Sequence, residues 1–239
     1  SPSTHSITRA GVSHSTDQKK FGTSGIKFDG SNDNLLLSDS SDWDFSGEFS
    51  FDLWVRFDSL GSQQGIIELG GDGNNGWRIL SWSNSTGLYS SRTHGDTYNY
   101  TIIATGGTSV LTVDTWHHLA LTRDSSGVIK LFVDGVQKAT VTNTNAFNNA
   151  SGSLTIGNQY NNSAVAEEYF GGYLDEFRVS NVARWTSAFT KPTLSYGGGN
   201  LNINGNLIVT KTLNAGAVNV NSSANGNDSN TKLLIQSNH

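Results

Sequence analysis

Phe49-Ser50-Phe51-Asp52-Leu53-Trp54-Val55-Arg56-Phe57 is the stretch on which the fold class turns. Phe49, Phe51, Leu53, Val55 and Phe57 share one face, while Ser50, Asp52 and Arg56 share the other, the period-two pattern of a half-buried antiparallel strand. Trp54 falls on the polar side, where it is either covered by another part of the chain or left as a surface aromatic. Outward from this strand, strand patterning returns in GIKFD, NLLLS, GIIELG, WRILSW, YTIIA, WHHLALTRD, VIKLFVD, VQKATVT, SLTIG and YLDEFRVS. Turn residues punctuate these runs. Asp134-Gly135 is the two-residue hairpin signal of a type I′ turn, and Asp124 to Gly127 closes the hairpin before it, so Trp116 to Thr142 reads as a three-stranded meander. No long amphipathic helix is present; Val182 to Phe189, VARWTSAF, has room for one helical turn before Pro192. The expected fold is all-β, a two-sheet antiparallel sandwich with a short β-rich C-terminal extension.

The composition suits such a core. Hydrophobic residues are 35% of the 239, and 11 Phe, 7 Tyr and 6 Trp supply much of the apolar area. Aromatic side chains bury more surface each than aliphatic ones. A formal net charge of −5 with 15% charged residues gives no basic field to collect nucleic acid. No apolar run approaches the roughly 20 residues of a membrane-spanning helix, so membrane insertion is not expected. The absence of Cys removes disulfides and thiolate metal sites. With no Met, Ser1 is not a translation start, and the chain reads as a piece of a longer protein.

Gly197-Gly198-Gly199 interrupts the pattern and divides residues 1–196, the sandwich, from residues 197–239, a Gly- and Asn-rich tail with strand potential. The tail has too little apolar content for its own core. It is expected to pair with this domain, another chain or a repeat neighbour, acting as a linker, an assembly segment or the start of a next module.

Trp116 to Gln137, WHHLALTRDSSGVIKLFVDGVQ, resembles the central hairpins of the laminin-G and pentraxin family, with its Trp-His opening, Gly-containing turn and Val-Asp-Gly strand end. GIKFDGSNDNLLL is similar to that family's first core strand and turn, and FGGYLDEFRVSNVARW to its closing strand; the likeness spans residues 21 to 190. It implies a concanavalin A-like jelly roll that binds ligands on loops or on the concave sheet. PSTHSITRAGVSHSTDQKKFGTSGIKFDG and NVARWTSAFTKP further resemble laminin-G modules of tailed-phage structural proteins, those of marine cyanophages in particular. In those modules a strand like LLIQSN precedes a segment like SPSTHSIT, so Leu233 to Asn238 is either the first strand of a following module or a coincidental apolar run.

Candidate sites follow from both readings. Trp77, Trp82, Tyr98, Tyr100, Tyr160 and Tyr169 lie in or beside loops, where aromatic faces with Asn and Asp neighbours could hold sugar, or they pack in the core. The resemblance places Asp72, Asn74 and Asn75 at the pentraxin calcium turn, and Asn158 and Gln159 with Asn161 and Asn162 at its acidic loop. Amides in place of carboxylates imply weak Ca²⁺ binding or none. In YLDEFRV, Tyr173, Asp175, Phe177 and Val179 are expected on one face toward the core; Asp175 would then join Asp29 and Asp33 around calcium, or bond to backbone, Arg178 or a Trp N–H.

No enzyme is expected. Asp175 and Glu176 are adjacent, so they point to opposite faces and cannot flank one glycosidic bond, and the same holds for Glu167 and Glu168. His117 and His118 have no nearby Ser or Cys. The function read from the sequence is a carbohydrate-binding or adhesion module of a virion surface or fibre protein, extracellular or on the virion. Its expected partners are a glycan or host-surface receptor, other virion proteins and further copies of itself. The alternatives are a structural decoration domain, a secreted bacterial adhesin, or an accessory domain of a polysaccharide-active enzyme.

Overall fold

Alternation at Phe49–Phe57 sends Phe49, Phe51, Leu53, Val55 and Phe57 into a single interior, where each is fully buried. The computed structural model in which this is seen describes residues 5–70, 77–92, 100–147, 152–160, 166–196 and 230–235. In chain order the strands are β1 (Ile7–Ala10), β2 (Ser13–Ser15), β3 (Gly25–Asp29), β4 (Asn34–Leu37), β5 (Phe49–Phe57) and β6 (Gln64–Leu69). There follow β7 (Trp77–Ser83), β8 (Gly87–Arg92), β9 (Tyr100–Ile103), β10 (Trp116–Arg123), β11 (Val128–Val133) and β12 (Val136–Thr142). The last are β13 (Leu154–Ile156), β14 (Gln159–Tyr160), β15 (Ala166–Glu167), β16 (Gly171–Ser180) and β17 (Thr231–Ile235).

One sheet runs β1-β4-β13-β6-β7-β8-β9 and the other β12-β11-β10-β5-β16-β3-β2, with β17 beside β16 and the short β14–β15 hairpin apart. Every pairing among these strands is antiparallel. The two sheets face each other across a core of Phe, Trp, Leu, Ile and Val, the sandwich expected from the alternation in the jelly-roll form that the resemblance implies. Among the described residues the helical structure is limited to two three-residue 3₁₀ turns, Ser41–Trp43 and Gly107–Ser109. The meander β10-β11-β12 forms as read, with Asp134 at φ 52° and Gly135 at φ 79° making the tight turn between β11 and β12.

The strand β16 departs from simple alternation. Glu176 takes φ 53° and the register against β5 shifts between Asp175 and Arg178, a bulge that resets which face each side chain meets. Before it, Leu174 faces the core opposite Val55 while Tyr173 and Asp175 point outward; after it, Phe177 and Val179 face the core and Arg178 lies opposite Asp52. The shared face expected for Tyr173, Asp175, Phe177 and Val179 is therefore corrected, because the extra residue exchanges the two faces midway along the strand.

The outer face of the eight-stranded sheet is covered in turn. Residues 181–196 cross it as an extended strap rather than the helical turn that VARWTSAF allowed. Its backbone is committed to the sheet: the Trp185 carbonyl accepts from Thr122 Oγ1, the Thr186 carbonyl from Lys130 Nζ, and the Phe189 N–H donates to the Gly135 carbonyl. Gly135 is required here, since a Cβ would stand 1.9 Å from the Phe189 carbonyl oxygen. Trp185 and Phe189 stack at 4.1 Å over the edge of His118. Trp54, on the polar face, is covered by Lys20 at 4.0 Å, by the edge of Phe21 and by His118.

Candidate functional site

The outer face of the seven-stranded sheet carries a half-buried polar cluster. Glu68 of β6 pairs with Arg78 of β7, Arg78 with Ser91 of β8, and Ser81 with Tyr89. Gln63 donates through Nε2 both to the Tyr89 hydroxyl, at 3.1 Å, and to Glu168 Oε2, at 2.7 Å. Glu168 reaches this position because its backbone takes φ 52°, a left-handed conformation that costs a non-glycine residue about 1 kcal/mol. Its carbonyl accepts from Gly65 N at 2.7 Å. Gly65 is needed for close approach: a Cβ would come within 2.5 Å of Asn158 C and Gln159 N, which cross directly above it. Ser81 Oγ donates to Gln159 Oε1 at 3.2 Å.

Burial pushes the Tyr89 phenol up, against the opposing pull of Arg78. Burial likewise raises the Glu168 carboxyl, with Arg78 opposing and Glu167 adding to the rise. Gln63, Arg78 and Glu168 are each half-buried, so an amide, a guanidinium and a carboxylate stand together at a partly dehydrated surface over the buried Tyr89. Alternating donors and acceptors beside an aromatic ring are what neighbouring hydroxyl groups require.

The aromatic residues singled out by sequence go elsewhere. Trp77 is 3% exposed, packs among Phe49, Phe51 and Phe147, and donates through Nε1 to the Tyr100 hydroxyl at 2.7 Å. Tyr100 is buried and shares a second hydrogen bond with Ser90 Oγ. Trp82 is buried against Phe57, its Nε1 donating to the Leu60 carbonyl. All three thus serve the core rather than a binding surface, because each begins or fills a strand whose inward face they occupy. Tyr169 is half-buried beside Glu168; Tyr98 and the side chain of Tyr160 lie outside the described residues.

Of the calcium candidates, Asp72, Asn74 and Asn75 lie outside the described residues. Asn158 and Gln159 are fully buried; the Gln159 amide oxygen is taken by Ser81, while Asn158 Oδ1 and Gln159 Nε2 have no hydrogen-bond partner among the described residues. Asp29, Asp33 and Asp175 do not converge. Asp33 accepts from Asp29 N, Asp29 from Ser31 N and Asn32 N, and Asp175 from Lys20 N and Phe21 N. Among the described residues no group of three His, Cys, Asp or Glu could hold a metal ion.

A second polar group is buried beneath the strap. Arg178 clamps Asp52 with Nε and Nη2 at 3.0 Å each, and His118 Nε2 bonds the Tyr196 hydroxyl at 2.8 Å and lies 3.4 Å from Asp52. Burial opposes ionisation of Asp52, but Arg178 and then His118 outweigh it and hold the carboxyl well below its usual range. Burial depresses His118, which Asp52 only partly counters, so the imidazole stays neutral. Both depressed groups favour the folded state at higher pH. Stability is expected to fall as pH drops below about 6.5, where the unfolded histidine takes a proton, and more steeply below about 4, where unfolded carboxylates do. Urea titrations at pH 7.5, 5.5 and 3.5 measure this; equal midpoints at the first two would contradict the His118 assignment.

The sequence profile described as the concanavalin A-like lectin/glucanases superfamily, a laminin-G type, matches residues 29–187. The chain belongs to this superfamily. A search of curated proteins returns no match. Among solved structures, domain 4 of AbnA, an extracellular GH43 arabinanase of Geobacillus stearothermophilus, in complex with arabinotriose, superposes with TM-score 0.58 at 18% identity, over 75% of this chain and 82% of that one. The CBM40 of the Ruminococcus gnavus IT-sialidase, bound to α2,3-sialyllactose, gives 0.51 at 17%, over 66% and 90%. The binding domain of botulinum neurotoxin serotype G gives 0.55 at 15%, over 75% and 44%. At these identities the likeness establishes the fold.

The lectin/glucanase superfamily includes members that cleave and members that only bind. Here the adjacent carboxylates of β16 serve structure: Asp175 accepts two backbone N–H groups and Glu176 Oε2 accepts from Tyr196 N at 2.6 Å, both beneath covering chain. The residues that form the half-buried cluster, Gln63, Arg78, Tyr89 and Glu168, were not marked by the sequence. Gln63 lies 26 residues from Tyr89 and 105 from Glu168, so no local spacing announces them.

Proposed function

We propose that this domain binds carbohydrate non-covalently on the outer face of its seven-stranded sheet, as the recognition module of a larger virion-surface, fibre or other extracellular protein. The observation that carries the reading is the Tyr89–Gln63–Glu168 hydrogen-bonded group beside Arg78, a partly dehydrated surface with donors and acceptors suited to sugar hydroxyls. Superfamily membership supports it, as do fold neighbours whose structures hold arabinotriose and sialyllactose. The sequence resemblance to tailed-phage modules supports the setting. A requirement for calcium, which the loop resemblance implies, is tested by including a chelator in the assay.

A glycan array with and without EDTA tests the reading. Binding to at least one glycan class is expected, with Gln63→Ala and Glu168→Gln each weakening it roughly tenfold, the order of one charge-assisted hydrogen bond. Their melting temperatures should match the parent. Silence across the array in both conditions overturns the proposal and leaves a structural decoration domain.

A further inference from the structure

The strand β16 is ten residues long, and β5 accompanies it along one edge on both sides of the bulge. The other edge is divided. Its first half, Gly171 to Leu174, pairs with β3, and its second half, Phe177 to Ser180, pairs with β17. The half-edge beyond the bulge is thus filled by the last described strand of the chain. Thr231, Leu233 and Ile235 are buried there, the latter two within the core beside Phe177 and Val179. Arg184 Nη2 donates to Thr231 Oγ1 at 3.0 Å and Asn181 N to the Asn230 carbonyl at 3.1 Å, so the strap also grips the incoming strand.

This slot cannot be left empty without cost. Removing β17 would unpair backbone groups of β16 and bare Phe177 and Val179 at an open sheet edge. Yet the strand that fills it is joined to Tyr196 only through residues 197–229. Such a length can extend about 110 Å, more than twice the roughly 40 Å breadth of a domain this size. The strand's contacts are the same whichever copy supplies it, so occupancy by its own or a neighbour's β17 is decided by concentration against the tether. The slot also opens toward the other end of the chain. Asp42 is met by both His5, at 3.1 Å, and Lys232, at 3.8 Å, and Ile7 and Ile235 line a common apolar cleft.

We propose that the Phe177–Ser180 half-edge of β16 is a strand-docking slot that accepts β17 from a second copy of this chain, so that copies link by exchanging this strand. The exchange joins unlike surfaces, slot to strand, and therefore builds rings or filaments rather than only closed pairs. The proposal stands apart from the carbohydrate reading.

Because the chain lacks Cys, single-cysteine variants report the exchange. Val179 and Leu233 are Cα partners, and directly opposed residues bring their Cβ atoms within about 5 Å. Val179→Cys and Leu233→Cys chains are unfolded together, refolded as a mixture at about 1 mM, the effective concentration of a short tether, then oxidised and digested. A disulfide joining position 179 of one variant to position 233 of the other is the expected main product, increasing with concentration. Only 179–179 or 233–233 links, while a chain carrying both substitutions closes its own disulfide completely, overturns the proposal. Should a single variant fail to refold, the parent chain is refolded with a labelled peptide of residues 230–236 at about 10 mM, roughly tenfold above the effective concentration of a short tether. Peptide retained through gel filtration supports the slot, and none retained overturns it.

Discussion

Replacing Arg178 with Leu is expected to cost the fold about 3–5 kcal/mol, the range for breaking a buried ion pair from one side. Arg178 and Asp52 are both fully buried, joined by two hydrogen bonds of 3.0 Å, and the guanidinium stacks at 4.0 Å on the Tyr196 ring. Without Arg178 the Asp52 carboxyl loses the largest influence that keeps it ionised against burial, and only neutral His118 and Tyr196 remain beside it. For a domain of this size that loss lowers the melting temperature by roughly 6–20 °C. Replacing Asp52 as well, by Leu, should restore much of the loss, since paired removal leaves no buried charge. Urea unfolding of the parent, the single and the double variant checks both steps; a single-variant loss below about 1 kcal/mol would mean that water reaches Asp52 beneath the strap.

The Trp77→Ala change should be equally severe, and for a different reason. Trp77 fills the core between Phe45, Phe49, Phe51 and Phe147, so truncation leaves a cavity worth about 3–5 kcal/mol. It also removes the donor to the Tyr100 hydroxyl. Trp77→Phe keeps most of the volume and should cost about 1 kcal/mol, one buried hydrogen bond. Thermal unfolding separates the two. An Ala variant that melts like the parent but loses sugar binding would move Trp77 from the core to the site.

These two residues show what the sequence made legible. Alternation in FSFDLWVRF is a one-dimensional record of a sheet with one buried face, so the sandwich, the meander and most central strands could be read from it. Trp77 reads as loop-adjacent because the sequence before it is rich in Gly and Asn, whereas the residue itself is the first of β7 and points inward. The strands β1, β2 and β8 are short or rich in Ser and Gly, and their apolar alternation is too weak to stand out. The sequence offers Arg178 as one partner for Asp175, and its clamp on Asp52 depends on a bulge at Glu176 that no residue type advertises. The half-buried cluster on the other sheet is assembled from β7, β8 and two connecting segments, and long-range convergence leaves no trace in local spacing.

The bulge at Glu176 makes the length of β16 as exacting as its composition. Deleting that one residue would remove the bulge and leave Phe177 and Val179 inward and Arg178 outward, whereas one added residue would turn Phe177 and Val179 toward the strap and Arg178 into the aliphatic interior. Homologous sequences with one more residue at this place would therefore need a second irregularity in the strand, whereas those with one fewer would keep the same faces on a straighter strand.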